Sequence, residues 1–209
     1  MDVLKPKTIA VLAALAFLIA GAVYLIGQGG GNPDGAPAGS AAAALDAAAR
    51  GEVANFTPKP APVPVPDFSF EGASGEKLDL GHFRGKLVLL NLWATWCGPC
   101  REEMPELDRL QAELGSDRFE VVAISVDREG EALARDFLEK VGARSLGFYI
   151  DPTARANFTL GAFGLPTTLL ISPQGEEIGR MVGPAPWASE DAKAFIEEAL
   201  RLYAPSPNS

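Results

Sequence analysis

The chain has 209 residues, 47% of them hydrophobic, with 18 Lys+Arg against 27 Asp+Glu and a formal charge of −9. This length suits one ordinary domain with something added and argues against two full-sized domains. An acidic chain with no basic block lacks the counter-charge for a phosphate backbone, so no nucleic-acid partner is expected. One histidine, His82, and two cysteines are too few donors for a zinc site, so no metal is expected.

The first element in chain order is 8–26, TIAVLAALAFLIAGAVYLI, a run of 19 uncharged residues. As a helix it reaches about 28 Å, close to the ~30 Å hydrocarbon thickness of a bilayer, and it has no polar stripe of the kind a core helix shows. The run exceeds the usual apolar region of a cleavable signal peptide, and the nearest small-residue cleavage site, Ala36-Pro37-Ala38, lies well downstream. An uncleaved transmembrane anchor over 8–26 is therefore expected in preference to a signal peptide. Lys5 and Lys7 precede the run and the next basic residue is Arg50, which puts the N-terminus in the cytoplasm and the rest outside. The outer part carries 16 Lys+Arg against 26 Asp+Glu, a net of −10.

Residues 27–39 hold six Gly and two Pro, 40–50 is Ala-rich and a candidate for a short helix, and 57–66 (TPKPAPVPVP) has five Pro in ten residues. Such composition buries little and favours extended polyproline geometry, so 27–65 is expected to be a flexible tether with a stiffer Pro-rich end. Residues 66–203 read as one folded domain, and 204–209 as a tail.

Within that domain KLVLLNLWA (86–94) is a near-continuous apolar run, the pattern of a strand covered on both faces. Met104, Leu107, Leu110 and Leu114 mark one face of a following helix. A strand at 119–126, a helix at 131–141 and a short strand at 147–150 come next. Strands at 167–172 and 178–182 flank a Pro-Gln-Gly hairpin signal, and Ser189 is placed to cap a last helix carrying Phe195, Ala199 and Leu202. Strands and helices alternating in this way predict an α/β domain with a parallel sheet core.

Cys97-Gly98-Pro99-Cys100 follows the buried strand and opens the helix. Cys97 therefore falls where unpaired N–H groups and the helix dipole favour an anion, which lowers a thiol pKa from about 8.5 into the range of roughly 3.5 to 7.5. Cys100, one turn later, is close enough to attack a mixed disulfide at Cys97. Trp96 is expected to shield the pair and offer an apolar contact. A structural disulfide across two residues would close too small a loop to stabilise much. A two-thiolate Cu(I) site has no supporting ligand cluster. Redox exchange is the reading these residues favour.

The stretch from Asn91 to Pro105, NLWATWCGPCREEMP, resembles the thioredoxin superfamily, and more closely its membrane-anchored TlpA/ResA-like branch. The resemblance covers about 66–203. It implies a thioredoxin-like fold, with a central mixed sheet flanked by helices and an inserted strand-helix segment around 127–150. It further implies that Cys97 is the attacking thiol and Cys100 the resolving one, separated by the Gly98-Pro99 spacer. Gly164-Leu165-Pro166-Thr167 resembles the cis-proline loop, which makes Leu165 and Pro166 substrate-binding candidates beside Trp96. Pro105 matches the kink of the family's active-site helix. At the position of thioredoxin's buried acid stands Asn91, which cannot take a proton from Cys100. Glu103 is the candidate to do so, either as a partly buried acid with a raised pKa or, in the competing reading, as a solvated residue stabilised by the helix dipole. His82 reads as a surface or turn residue.

The expected function is that of a thiol:disulfide oxidoreductase with no cofactor beyond the Cys97/Cys100 pair, held on the outer face of a bacterial inner membrane. The Gly-Pro spacer is that of reducing thioredoxins, whose potential lies near about −270 mV against about −120 mV for a strong oxidant. By resemblance the partners are disulfide-bearing proteins of cytochrome maturation: apocytochrome c, a copper-delivery factor or the copper subunit of cytochrome oxidase. A membrane electron donor of the DsbD/CcdA type would regenerate the dithiol. The alternatives are a disulfide oxidase and a tethered Cu(I)-binding module. A peroxidase is disfavoured because the Pro-x-x-x-Thr-x-x-Cys pattern is missing at Cys97.

Overall fold

A computed structural model describes residues 38–204. The expected anchor at 8–26, the first part of the expected tether and residues 205–209 lie outside them. Among the described residues no helix is long and apolar enough to cross a membrane. In chain order the elements are α1 (Ala38–Ala48), β1 (Thr57–Pro64), β2 (Phe70–Glu71), β3 (Lys77–Leu78), β4 (Leu87–Trp93), α2 (Gly98–Leu114), β5 (Phe119–Ser125) and α3 (Glu131–Lys140). They continue with β6 (Tyr149–Ile150), α4 (Arg155–Thr159), β7 (Thr167–Ile171), β8 (Glu176–Val182) and α5 (Glu190–Tyr203).

The eight strands form one mixed sheet in the order β1-β8-β7-β4-β5-β6-β2-β3. The crossover through α2 sets β4 parallel to β5, whereas β7 runs antiparallel to β4 and β8 antiparallel to β7. Every residue of β4 and of β7 is buried, which is why 86–94 reads, after Lys86, as a near-continuous apolar run broken only by Asn91. The predicted apolar face of α2 is the buried one, with Met104, Leu107 and Leu110 fully enclosed. Ser189 caps α5 as expected, its hydroxyl accepting the Ala192 N–H at 3.2 Å. The thioredoxin-like α/β fold, a mixed sheet flanked by helices, is thus present. Its parallel part is confined to β4, β5 and β6.

The tether expected over 27–65 needs correction from residue 38 onward. α1 packs with Leu45 fully buried and Ala41 nearly so, Val53 is enclosed in the 3-10 turn that follows, and the Phe56 ring lies 4.6 Å from Phe195 of α5. The Pro-rich stretch forms β1, paired antiparallel with β8. A chain this rich in Pro can join the sheet because β1 is the outermost strand, where one edge needs no N–H, and because its register against β8 shifts between Pro58 and Val63, leaving an irregular step of the ladder that holds Pro60 and Pro62. Val65 donates its N–H to the Gly175 carbonyl at 3.3 Å. Gly179 of β8 allows the close approach: a Cβ there would lie 2.4 Å from the Phe56 ring.

The segment expected as an insert also differs in detail. The strand predicted at 147–150 shortens to β6, and α4 follows it unpredicted, tied by the buried Asp151 carboxylate, which accepts the Ala156 N–H at 2.8 Å.

Candidate active site

β4 ends at Trp93, whose carbonyl accepts the Val126 N–H at 2.8 Å, and the chain then turns through Ala94, Thr95 and Trp96. Asp127, at the end of the neighbouring β5, holds that turn. Its buried carboxylate accepts the Thr95 N–H at 3.0 Å, the Thr95 hydroxyl at 2.8 Å and the Ser125 hydroxyl at 2.8 Å. Cys97 is the N-cap of α2 in extended backbone, and its Sγ accepts the Cys100 N–H at 3.2 Å. Gly98 and Pro99 fill the first turn, where proline's missing N–H costs nothing. A Cβ at Gly98 would meet nothing within 4 Å, so the space in front of the turn is open.

The two cysteines form a disulfide with their Cα atoms 5.3 Å apart. Cys97 is 6% exposed and Cys100 fully enclosed, so an external sulfur can approach only Cys97. The Leu165–Pro166 peptide is cis. Thr167 pairs with Leu92, which sets Pro166 beside the end of β4 from which the cysteine turn departs. The Pro166 carbonyl accepts the Gly183 N–H at 2.9 Å, and the Gly164 carbonyl accepts the Thr167 hydroxyl at 2.6 Å. Trp96, expected to shield the pair, is 70% exposed and stands open beside Cys97. His82 sits in the exposed 3-10 turn Leu80–Phe83 with its ring edge-on to Phe83.

Of the two readings of Glu103, the solvated one fails. Glu103 is 2% exposed and lies one turn beyond Cys100 on the buried face of α2. Its Oε1 accepts from the Asn91 amide at 2.8 Å, and its Oε2 accepts from the Ala185 N–H at 3.1 Å and the Trp187 indole at 3.3 Å. Burial pushes its carboxyl up to about 7 against the pull of these three donors. The Asn91 amide also donates to the Thr168 hydroxyl at 2.9 Å, while its own Oδ1 finds no hydrogen-bond partner among the described residues. Asn91 thus stands where a second acid would sit and instead anchors the acid on the helix.

Residues 60–196 match the Redoxin family. The chain belongs to that family. Redoxin relatives include the thiol-disulfide oxidoreductase ResA of Bacillus thuringiensis subsp. konkukian, 31% identical over 141 residues, which cover 68% of this chain and 77% of that protein. ResA of Bacillus subtilis is 28% identical over 145 residues, covering 69% and 76%. Among solved structures, one described as a thiol:disulfide interchange protein DsbE from Chlorobium tepidum superposes with a TM-score of 0.58 at 32% identity. That superposition covers 68% of this chain and 96% of the other. This Redoxin chain is a ResA/TlpA-like member of the thioredoxin superfamily and a thiol:disulfide oxidoreductase.

Two parts of the site had no signal strong enough to find in the sequence. Asp127 grips a turn 32 residues earlier, and Trp187 reaches Glu103 across 84 residues. Asp127 alone had a positional cue, the carboxyl end of a parallel strand beside the motif, where α/β sheets place their sites.

Proposed function

We propose that the protein is a membrane-anchored periplasmic reductant of protein disulfides, with Cys97 as attacking thiol, Cys100 as resolving thiol and Glu103 as proton carrier. The arrangement that supports this is the asymmetry of the pair: Cys97 caps α2 at the surface, and Cys100 is enclosed beside a buried acid. In the dithiol form the Cys100 N–H and the helix N-terminus favour a thiolate at Cys97. That thiolate attacks a client disulfide and releases one client thiol. Cys100 passes its proton to the Glu103 carboxylate, attacks the Cys97 sulfur and frees the second client thiol. The oxidised pair then takes two electrons and two protons from a membrane donor of the DsbD/CcdA type. Clients would be proteins of cytochrome c or oxidase copper-site maturation, in keeping with the ResA likeness. An anchor at 8–26 would hold the domain near its donor and raise the effective concentration of the pair.

Replacing Cys100 with Ser should leave Cys97 caught in mixed disulfides with clients in cells, visible as thiol-sensitive adducts on gels. Cys97→Ser should give none. Adducts of equal abundance in both variants, or in neither, would remove Cys97 from the attacking role. Equilibration with glutathione fixes the direction: a potential near about −120 mV marks an oxidant and defeats the reductant reading.

A further inference from the structure

Every hydrogen-bond partner of the Glu103 carboxyl is a donor. Its Oε2 accepts the Ala185 N–H at 3.1 Å and the Trp187 indole at 3.3 Å, and its Oε1 accepts the Asn91 amide nitrogen at 2.8 Å. Asn91 faces it from β4, Ala185 and Trp187 from the turn after β8, and Cys100 lies one turn back on its own helix. No charged side chain among the described residues acts on it. Such surroundings suit a carboxylate and oppose a carboxylic acid, whose O–H is itself a donor and needs an acceptor when buried. Yet burial lifts this acid to about 7, so both forms are populated near neutrality.

The partners also fix where a proton can rest. A backbone N–H and an indole N–H cannot become acceptors, so Oε2 stays an acceptor and the proton goes to Oε1, in front of Asn91. There an O–H would meet the Asn91 N–H head on. The acceptor it needs is on the same side chain: Asn91 Oδ1 is buried and finds no hydrogen-bond partner among the described residues. A half turn of the amide exchanges Oδ1 and Nδ2 without changing the space they fill. Thr168, directly across from Asn91 in the register of β4 and β7, tolerates the exchange. Its hydroxyl accepts from Nδ2 at 2.9 Å and is equally able to donate to Oδ1. In either orientation the amide bonds to both Glu103 and Thr168 and leaves its other end unpartnered. The two orientations are therefore close in energy, and the proton on Glu103 selects between them.

We propose that Asn91 is a positioning residue that turns its side-chain amide over whenever Glu103 gains or loses a proton, donating to the carboxylate and accepting from the acid. The proposal rests on Glu103 as the proton carrier. When Cys100 gives up its thiol proton and becomes a thiolate, the proton settles on Oε1 and is held by Asn91 Oδ1. When the proton leaves, Nδ2 returns to the carboxylate.

The test records nitrogen–proton correlation and NOE spectra of isotope-labelled oxidised protein at pH 5 and pH 8, with the Glu103 carboxyl carbon shift reporting its protonation. At pH 8 the Nδ2 protons of Asn91 should give strong cross-peaks to Thr168. At pH 5 these should fall at least about fivefold, with a midpoint that follows the carboxyl shift. Glu103→Gln should hold the amide in the pH 5 orientation at both pH values. Its side-chain oxygen is needed beneath the Ala185 and Trp187 donors, so its amide nitrogen faces Asn91 as the acid O–H does. Cross-peaks that keep full strength at pH 5 while the carboxyl shift titrates make Asn91 a fixed donor and overturn the proposal. A carboxyl shift that stays level between the two pH values also overturns it, because no proton then reaches Oε1. So does a Glu103→Gln spectrum that matches wild type at pH 8. The proton-carrier reading fails on a different measurement. If Glu103→Gln leaves the alkylation profile of Cys97 in the reduced protein unchanged while the wild-type amide still turns over, the turning amide is supported and Glu103 is removed as proton carrier.

Discussion

Three neutral donors hold the Glu103 carboxyl, and burial outweighs them, so its pKa stands at about 7 in the oxidised fold against 4.5 in an exposed chain. Between these values the folded protein binds a proton that the unfolded chain does not, so stability falls as pH rises through that interval and is level above it. The step amounts to roughly 3 kcal/mol. Glu103→Gln should abolish it, and urea unfolding of the oxidised protein at pH 5 and pH 8 would show wild type losing stability while the variant does not. In the reduced protein the same substitution should erase an inflection near pH 7 from the alkylation rate of Cys97. An unchanged thiol profile would leave Glu103 a structural residue only. The thioredoxin resemblance, with Asn91 at the position of its buried acid and Glu103 three residues after Cys100, nominated this acid. Its burial was not legible, because the Trp187 and Ala185 donors arrive from a loop more than 80 residues away and nothing local to α2 announces them.

At the level of elements, β4 and α2 were legible because each carries its own pattern: a seven-residue buried run, and an apolar stripe following a CxxC cap. The Ala-rich 40–50 was legible as a short helix, which α1 is, but its packing and the strand β1 were not, because alanine and proline content reads as spacer whenever the partner surface is unknown. The partner here is α5 and the open edge of β8, and three residues, Leu45, Val53 and Phe56, supply the core contacts. Phe56→Ala should therefore cost about 3 to 5 kcal/mol, as a fully packed core ring does. A tether residue would cost nothing. Thermal or urea unfolding separates the two outcomes, and an unaffected midpoint would return 38–64 to the role of spacer.

Across the whole molecule both cysteines lie in one redox pair, so no cross-link outside the active site contributes to stability. The eight-stranded sheet must then protect its own margins. One margin is β3, two residues long; the other is β1 with its alternate prolines. Replacing Pro58, Pro60, Pro62 and Pro64 together by Thr keeps an extended backbone but restores four N–H groups to the marginal strand. Light scattering against concentration should then show association that wild type lacks; a variant that stays monomeric would take this role away from the prolines. In the language of polymerisation, the imino acids act as a terminator. A sheet can grow only where a free donor waits for the next strand, and neighbouring copies at high concentration would otherwise supply that strand continually.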